Sequence, residues 1–246
     1  MPELPPPLPP GERTMGQLIA ETIRFYGRHF WRALPLGIPL ALADQFVVGR
    51  SAGVGDQAVV FWIAAPLIAA AFVYACSLVH ERRPTATVVG VALLIYLPFP
   101  ALRALLILPA IAWFAFIGLA VPAALVEGLG WRAALVRGRQ LGTADYAHAL
   151  GSLAALVIVV GLAEQTLGLL LRVQGDTGQR VALALADVVL SPLLYLGGAM
   201  LYFDQAARVG SRRSRPRRTR QGRRNADLHP SVDADAAGRS DPQVEP

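Results

Sequence analysis

The sequence predicts an all-α fold: a polytopic membrane helix bundle of about six transmembrane helices with two interfacial amphipathic helices. Three observations lead there. Only 16% of the 246 residues are charged, where a soluble domain of this length carries about a quarter. The apolar residues gather into runs suited to a ~30 Å hydrocarbon core. The 23 basic residues are all arginine, and they cluster at the ends of alternate runs and in one tail.

The N-terminal stretch MPELPPPLPPGER (1–13) carries six prolines in its first ten residues. It lacks the basic-then-apolar order of a signal peptide and is expected to be an extended, disordered leader. Thr14 is placed to cap a helix running to about Trp31. On that helix Gln17, Glu21, Arg24, Arg28 and Arg32 share one stripe, and Met15, Leu18, Ile19, Ile23, Tyr26 and Phe30 share the opposite face. Such a helix suits the headgroup layer, with Arg24 and Arg28 toward lipid phosphate.

Apolar segments follow at about 33–49, 58–79, 86–101, 102–126, 147–171 and 181–203. The first is short and has Pro35 and Pro39 near its start. From Ala86 to Val126 the one charge is Arg103. A straight helix of that length would reach ~60 Å, so the chain must turn back within it. Pro98 and Pro100, next to Arg103, form the expected turn, with Pro109 the second choice.

Six spans with both ends inside place 19 of the 23 arginines on the inner side; Arg50, Arg103, Arg172 and Arg180 fall outside. Without the tail the count is still nine against four. This asymmetry predicts a cell-membrane protein with cytosolic N- and C-termini. It also explains the abrupt change within VPAALVEGLGWRAALVRGRQL (121–141). Span four ends near Val126, Glu127-Gly128 marks the exit, and an interfacial helix follows. Its apolar face is Trp131, Ala134, Leu135, Gly138 and Leu141; its polar face is Arg132, Arg137, Arg139 and Gln140. Anionic inner-leaflet lipid is the expected partner of those arginines.

The chain then divides into a leader (1–13), a membrane domain (14–207) and a tail (208–246) that is basic, then acidic, and is expected to be disordered. The basic block follows a span directly, which favours lipid anchoring over nucleic acid. Cys76 is the sole cysteine, so no internal disulfide can form. HERRP (80–84) lacks the second histidine of a zinc motif, and the four histidines have no ligand spacing. No nucleotide, catalytic, metal or cofactor signature is read. Gly197-Gly198 fits close helix packing.

Acids within the spans carry the remaining information. Asp44, Glu164 and Asp187 each lie six to eight residues below an outer arginine, at one common depth of ~9–12 Å. An unpaired carboxylate in hydrocarbon costs at least ~2.5 kcal/mol. Gln45 and Gln165 could extend a polar network, with Arg103 as counter-ion and Arg172 and Arg180 as alternatives. The network is either a packing contact or an outward-open polar cavity.

The run LLILPAIAWFAFIGLAVPAALVEGLGWRAALVRGRQL (105–141) resembles a bacterial family of polytopic membrane proteins. That family includes the membrane domain fused to some glycerophosphoryl diester phosphodiesterases, and relatives in actinobacteria. The shared pattern is Pro109, Pro122, Glu127, Gly128, Ala134, Leu135 and Arg137, with similar stretches TMGQLIAETIRFYGRHFWRAL and LYFDQAARV at either end. Gly138 stands where the family usually has serine. The phosphodiesterase domain has no counterpart here, so the resemblance implies architecture and no hydrolase activity.

Three functions are open on the sequence. The first is a non-enzymatic scaffold or membrane-complex subunit with membrane-protein partners. The second is a small transporter or permease component, for which the acids and span-breaking prolines speak. The third is a membrane-embedded lipid enzyme drawing on Glu127 and Asp204.

Overall fold

A computed structural model describes residues 9–47, 53–171 and 175–228, with the backbone alone for 54, 104–105, 175–176 and 212–228. Twelve α-helices and no strand occur among the described residues. Contacts divide the chain into two units, 1–208 and 209–246. The first is a helical bundle. Of the second, residues 209–228 are helical in backbone. Residues 229–246 lie outside the described residues.

Helix α1 (Met15–Arg28) begins with a capping box. The Thr14 amide donates to Gln17 Oε1 at 2.9 Å, and the Gln17 amide donates to Thr14 Oγ1 at 3.4 Å. This satisfies two of the amides a helix start leaves open. After His29 come α2 (Phe30–Ala33), a 3-10 turn (Leu34–Gly37) containing Pro35, and α3 (Ile38–Val47). The first expected span is thus corrected: α3 has ten residues, ~15 Å, too short to cross alone. Five other stretches are long and apolar enough to cross a membrane: Gly55–His80, Ala86–Arg103, Ile107–Glu127, Tyr146–Leu171 and Thr177–Ser211.

These five stretches are α4 (Val54–His80), α5 and α6 (Ala86–Tyr96, Phe99–Leu105), α7 and α8 (Ile107–Ile117, Ala120–Glu127), α10 (Tyr146–Leu171), and α11 with α12 (Gly175–Leu190, Pro192–Leu228). The turn between spans three and four is also corrected. Pro98 only kinks the helix; the break falls at Leu106, in extended conformation. Pro109 occupies the first turn of α7, where a missing amide costs nothing. Gly128 closes α8 with φ 66°, the left-handed geometry that glycine adopts without strain.

Helices α10 and α11–α12 form one long antiparallel hairpin. Gly168 faces Leu183, Leu156 faces Gly197, His148 faces Asp204, and Asp145 faces Arg208. The register holds across the break at Ser191-Pro192. The N-terminal relay α1–α3 runs along α11–α12 in the opposite sense. Arg13 meets Asp204, Tyr26 donates to the Val189 carbonyl at 2.7 Å, Gly37 meets Val188, and Gln45 meets Arg180. Helix α1 also packs on α10 and buries Leu18, Thr22 and Tyr26. Arg24 and Arg28 are exposed, and Ile23, expected on the apolar face, is exposed too.

Helix α9 (Trp131–Ala144), read as interfacial, packs on α7 and α8. Ala134, Gly138 and Leu141 are buried as the periodicity demands, whereas Trp131 is exposed and carries the Arg132 guanidinium 4.8 Å above its ring. The core gathers Phe72, Val91, Ile95, Val121 and Leu196, with Cys76 fully buried beside them. Phe114 and Tyr96 pack at steep angles against Phe72 and each other, the arrangement aromatic pairs favour.

Candidate functional site

The site is built where three interrupted helices meet. Asp44 sits on short α3, which packs on α4 and α11. Arg103 sits on α6, which packs on α4 and α7. The Arg103 Nη2 donates to Asp44 Oδ1 at 3.4 Å, with both side chains partly exposed, at 33% and 25%. The same guanidinium lies 4.0 Å above the Phe61 ring of α4, a cation–π contact that fixes its plane.

Glu164 of α10 and Asp187 of α11 face each other across the hairpin, and Glu164 Oε1 is buried with no hydrogen-bond partner among the described residues. Asp44 and Arg103 lie near enough to act electrostatically on both. The three acids therefore occupy one neighbourhood, arranged as two pairs: Asp44 with Arg103, and Glu164 with Asp187. Among the described residues no three His, Cys, Asp or Glu side chains group as metal ligands. Gln45 donates instead to the Arg180 carbonyl at 3.1 Å, tying α3 to α11. Gln165 is exposed and apart from the cluster, because one residue along a helix turns the side chain by about 100°. Arg180 contributes its carbonyl; Arg50 and Arg172 lie outside the residues whose side chains are described or shown to join the cluster.

Beside Arg103 opens a cavity of about 140 Å³. Its walls come from α3, α4, α5, α6, α7, α10 and α12, and they are apolar except for Arg103 and the two tyrosines, Tyr96 and Tyr195. Tyr195 is buried and lines the cavity. None of the three acids lines the cavity. This void is apolar, and among the described residues Arg103 is the charge on its lining.

No family model, curated protein or solved structure matches this chain.

A second polar cluster lies at the other end of α10, 16 residues or ~24 Å away. Arg13 pairs with Glu21 at 3.0 Å and with Asp204 at 3.5 Å. His148 Nε2 lies 4.0 Å from Asp204. Arg208 donates to Asp145 at 2.6 Å and to the Arg13 carbonyl at 3.1 Å. Asp204 has no exposed side-chain surface. In the sequence it has the look of a span-end residue. The signal that reveals the cluster is the register of the α10–α12 hairpin, which sets His148 against Asp204 and Asp145 against Arg208. Glu127, which marks a span exit in the sequence, does more than that. It accepts from Arg137 Nε at 2.8 Å and from the Tyr202 hydroxyl at 3.0 Å, joining α8, α9 and α12. Arg137, expected to face lipid, pairs with Glu127 with both side chains partly exposed, while the Arg132 and Arg139 guanidinium groups lie over Trp131 and Phe116.

Proposed function

We propose that the chain is a multi-pass protein of the bacterial cell membrane, with cytosolic termini, acting as a small transporter or permease component through the Arg103 site. The N-terminal relay supplies the sixth crossing: it starts beside Asp204 and ends beside Arg180, the full reach of the α11–α12 span. An even number of crossings puts Arg13 and Arg208 on one side. The nine-to-four arginine bias outside the tail supports a cytosolic position for that side. The likeness of residues 105–141 to bacterial polytopic proteins supports the choice of membrane.

One observation carries the transport reading. Arg103 stands between an ion pair, a carboxyl pair and a cavity, among the interrupted stretches α1–α3, α5–α6 and α11–α12. Interrupted helices commonly line substrate paths because their ends expose backbone dipoles to a ligand. The scaffold reading has its own support: the acids close on partners and none lines the void, as packing contacts would.

Cysteine access separates the two. Cys76 is buried, so a Cys76→Ser background accepts single cysteines at 44, 103 and 164. Labelling of intact cells with a membrane-impermeant maleimide should modify positions 44 and 103 from outside. Labelling only after permeabilisation reverses the topology. No labelling in either state marks a closed contact and favours the scaffold.

A further inference from the structure

Resting on that reading, we infer that the Arg103 site takes a hydrocarbon chain bearing a single negative charge, with the chain in the cavity and the charged head on Arg103. The cavity's 140 Å³ is close to the ~150 Å³ of an apolar cavity that stays dry and accepts benzene. It therefore holds a short length of hydrocarbon rather than a water cluster. Ile68, Phe72, Ile111, Phe114, Leu156 and Leu194 give it an apolar wall, and among the described residues Arg103 is the single charged one on its lining.

The state of Arg103 sets the sign of the head. A guanidinium has five N–H donors in a planar fork that matches a carboxylate or phosphodiester in two-pronged fashion. Among the described residues Arg103 donates to one atom, Asp44 Oδ1, at 3.4 Å, the long end of the hydrogen-bond range. Phe61 covers one face of the group, and Arg103 itself lines the cavity. A head anion replaces the Asp44 contact with shorter ones. The neighbouring acids set the magnitude of the charge: Asp44, Glu164 and Asp187 all lie within electrostatic reach, so a doubly charged phosphate monoester is disfavoured against a singly charged head. Fatty acids and phosphodiester lipids share this chemistry.

Four photoreactive probes with the same diazirine-bearing chain test it on the full-length protein in nanodiscs of neutral lipid: a fatty acid, a phosphatidylglycerol, a fatty alcohol and an alkylamine. The expected result is labelling of cavity-lining residues by the fatty acid, the phosphatidylglycerol or both, at least fivefold above the alcohol and the amine. Which of the two labels more identifies the source. Arg103→Gln should cut the labelling at least fivefold and Arg103→Lys less. Ala110→Leu, which fills the void without touching Arg103, should block it. Competition by unlabelled palmitate or phosphatidylglycerol gives the same reading with no variant. Equal or stronger labelling by the amine or the alcohol overturns the inference on charge and leaves the site in place. Absence of labelling by all four probes overturns it outright; the transport reading then stands or falls on cysteine access at 44 and 103.

Discussion

Gly37 meets the backbone of Val188 so closely that a Cβ at position 37 would lie within van der Waals overlap of the Val188 carbonyl oxygen and Cα. Here the 3-10 turn before α3 crosses the end of α11, three residues before the α11–α12 break. Both helices are interrupted at the same level, and their close approach brings Asp44 and Gln45 onto α11. Gly37→Ala must push the two backbones apart. Overpacking of this kind costs ~2 kcal/mol. The thermal midpoint in detergent should fall by several degrees, while Gly90→Ala on α5, with nothing within 4 Å, should hold or raise it. Equal behaviour of the two variants would show that the crossing is loose.

Arg13→Ala removes a charge partner from Asp204, which is wholly buried. Breaking one half of a buried pair costs ~3 kcal/mol, because the remaining charge has no water to turn to. Adding Asp204→Asn should recover about half of that loss, since the orphaned charge goes with it. Denaturant unfolding in mixed micelles measures both. A double variant as unstable as Arg13→Ala alone would mean that Arg208 and His148 already satisfy Asp204.

The common depth of Asp44, Glu164 and Asp187 is legible in the amino-acid order, because helix rise is constant and the connecting turns are short. Their division into two pairs is not, since it depends on how α3 rotates about its own axis. Gln165 leaves the expected network for the same reason: adjacent in sequence to Glu164, it points about 100° away. The first crossing differs from expectation because an apolar run shows hydropathy but not continuity. Pro35 turns it into a 3-10 step, and α1, whose amphipathic pattern fits a packed helix as well as a surface one, packs on α10. Asp204 and Glu127 sit where apolar runs end, a position in which exposed and buried acids look alike until the register of the partner helix is known.

Tyr202→Phe deletes one hydroxyl and nothing else. That hydroxyl donates to Glu127 at 3.0 Å in a part-buried setting, and Glu127 also holds Arg137. A hydrogen bond to a charged group contributes ~1.5–3 kcal/mol. The loss should therefore reach about 1.5 kcal/mol, read as a lower unfolding midpoint. Tyr146→Phe is the control: its hydroxyl reaches the Ala112 carbonyl at 3.4 Å in an exposed position, and its removal should cost under ~0.5 kcal/mol. Similar losses for both would place Glu127 in water rather than at a three-helix joint.

Asp44→Asn distinguishes a working site from a packing contact by the size of its effect. The Asp44–Arg103 pair is partly exposed and long, at 3.4 Å. Pairs of that kind contribute ~1 kcal/mol or less. Arg103→Gln loses the pair and also the Phe61 contact, a further ~0.5–1 kcal/mol. Both variants should therefore fold, Asp44→Asn with a loss under ~1 kcal/mol and Arg103→Gln with about twice that. A double-mutant cycle in detergent yields the coupling directly. Coupling above ~3 kcal/mol would show that the pair is desolvated and structural, held there to lock α3 against α6, and the reading of Arg103 as an exchangeable ligand-binding group would have to be given up.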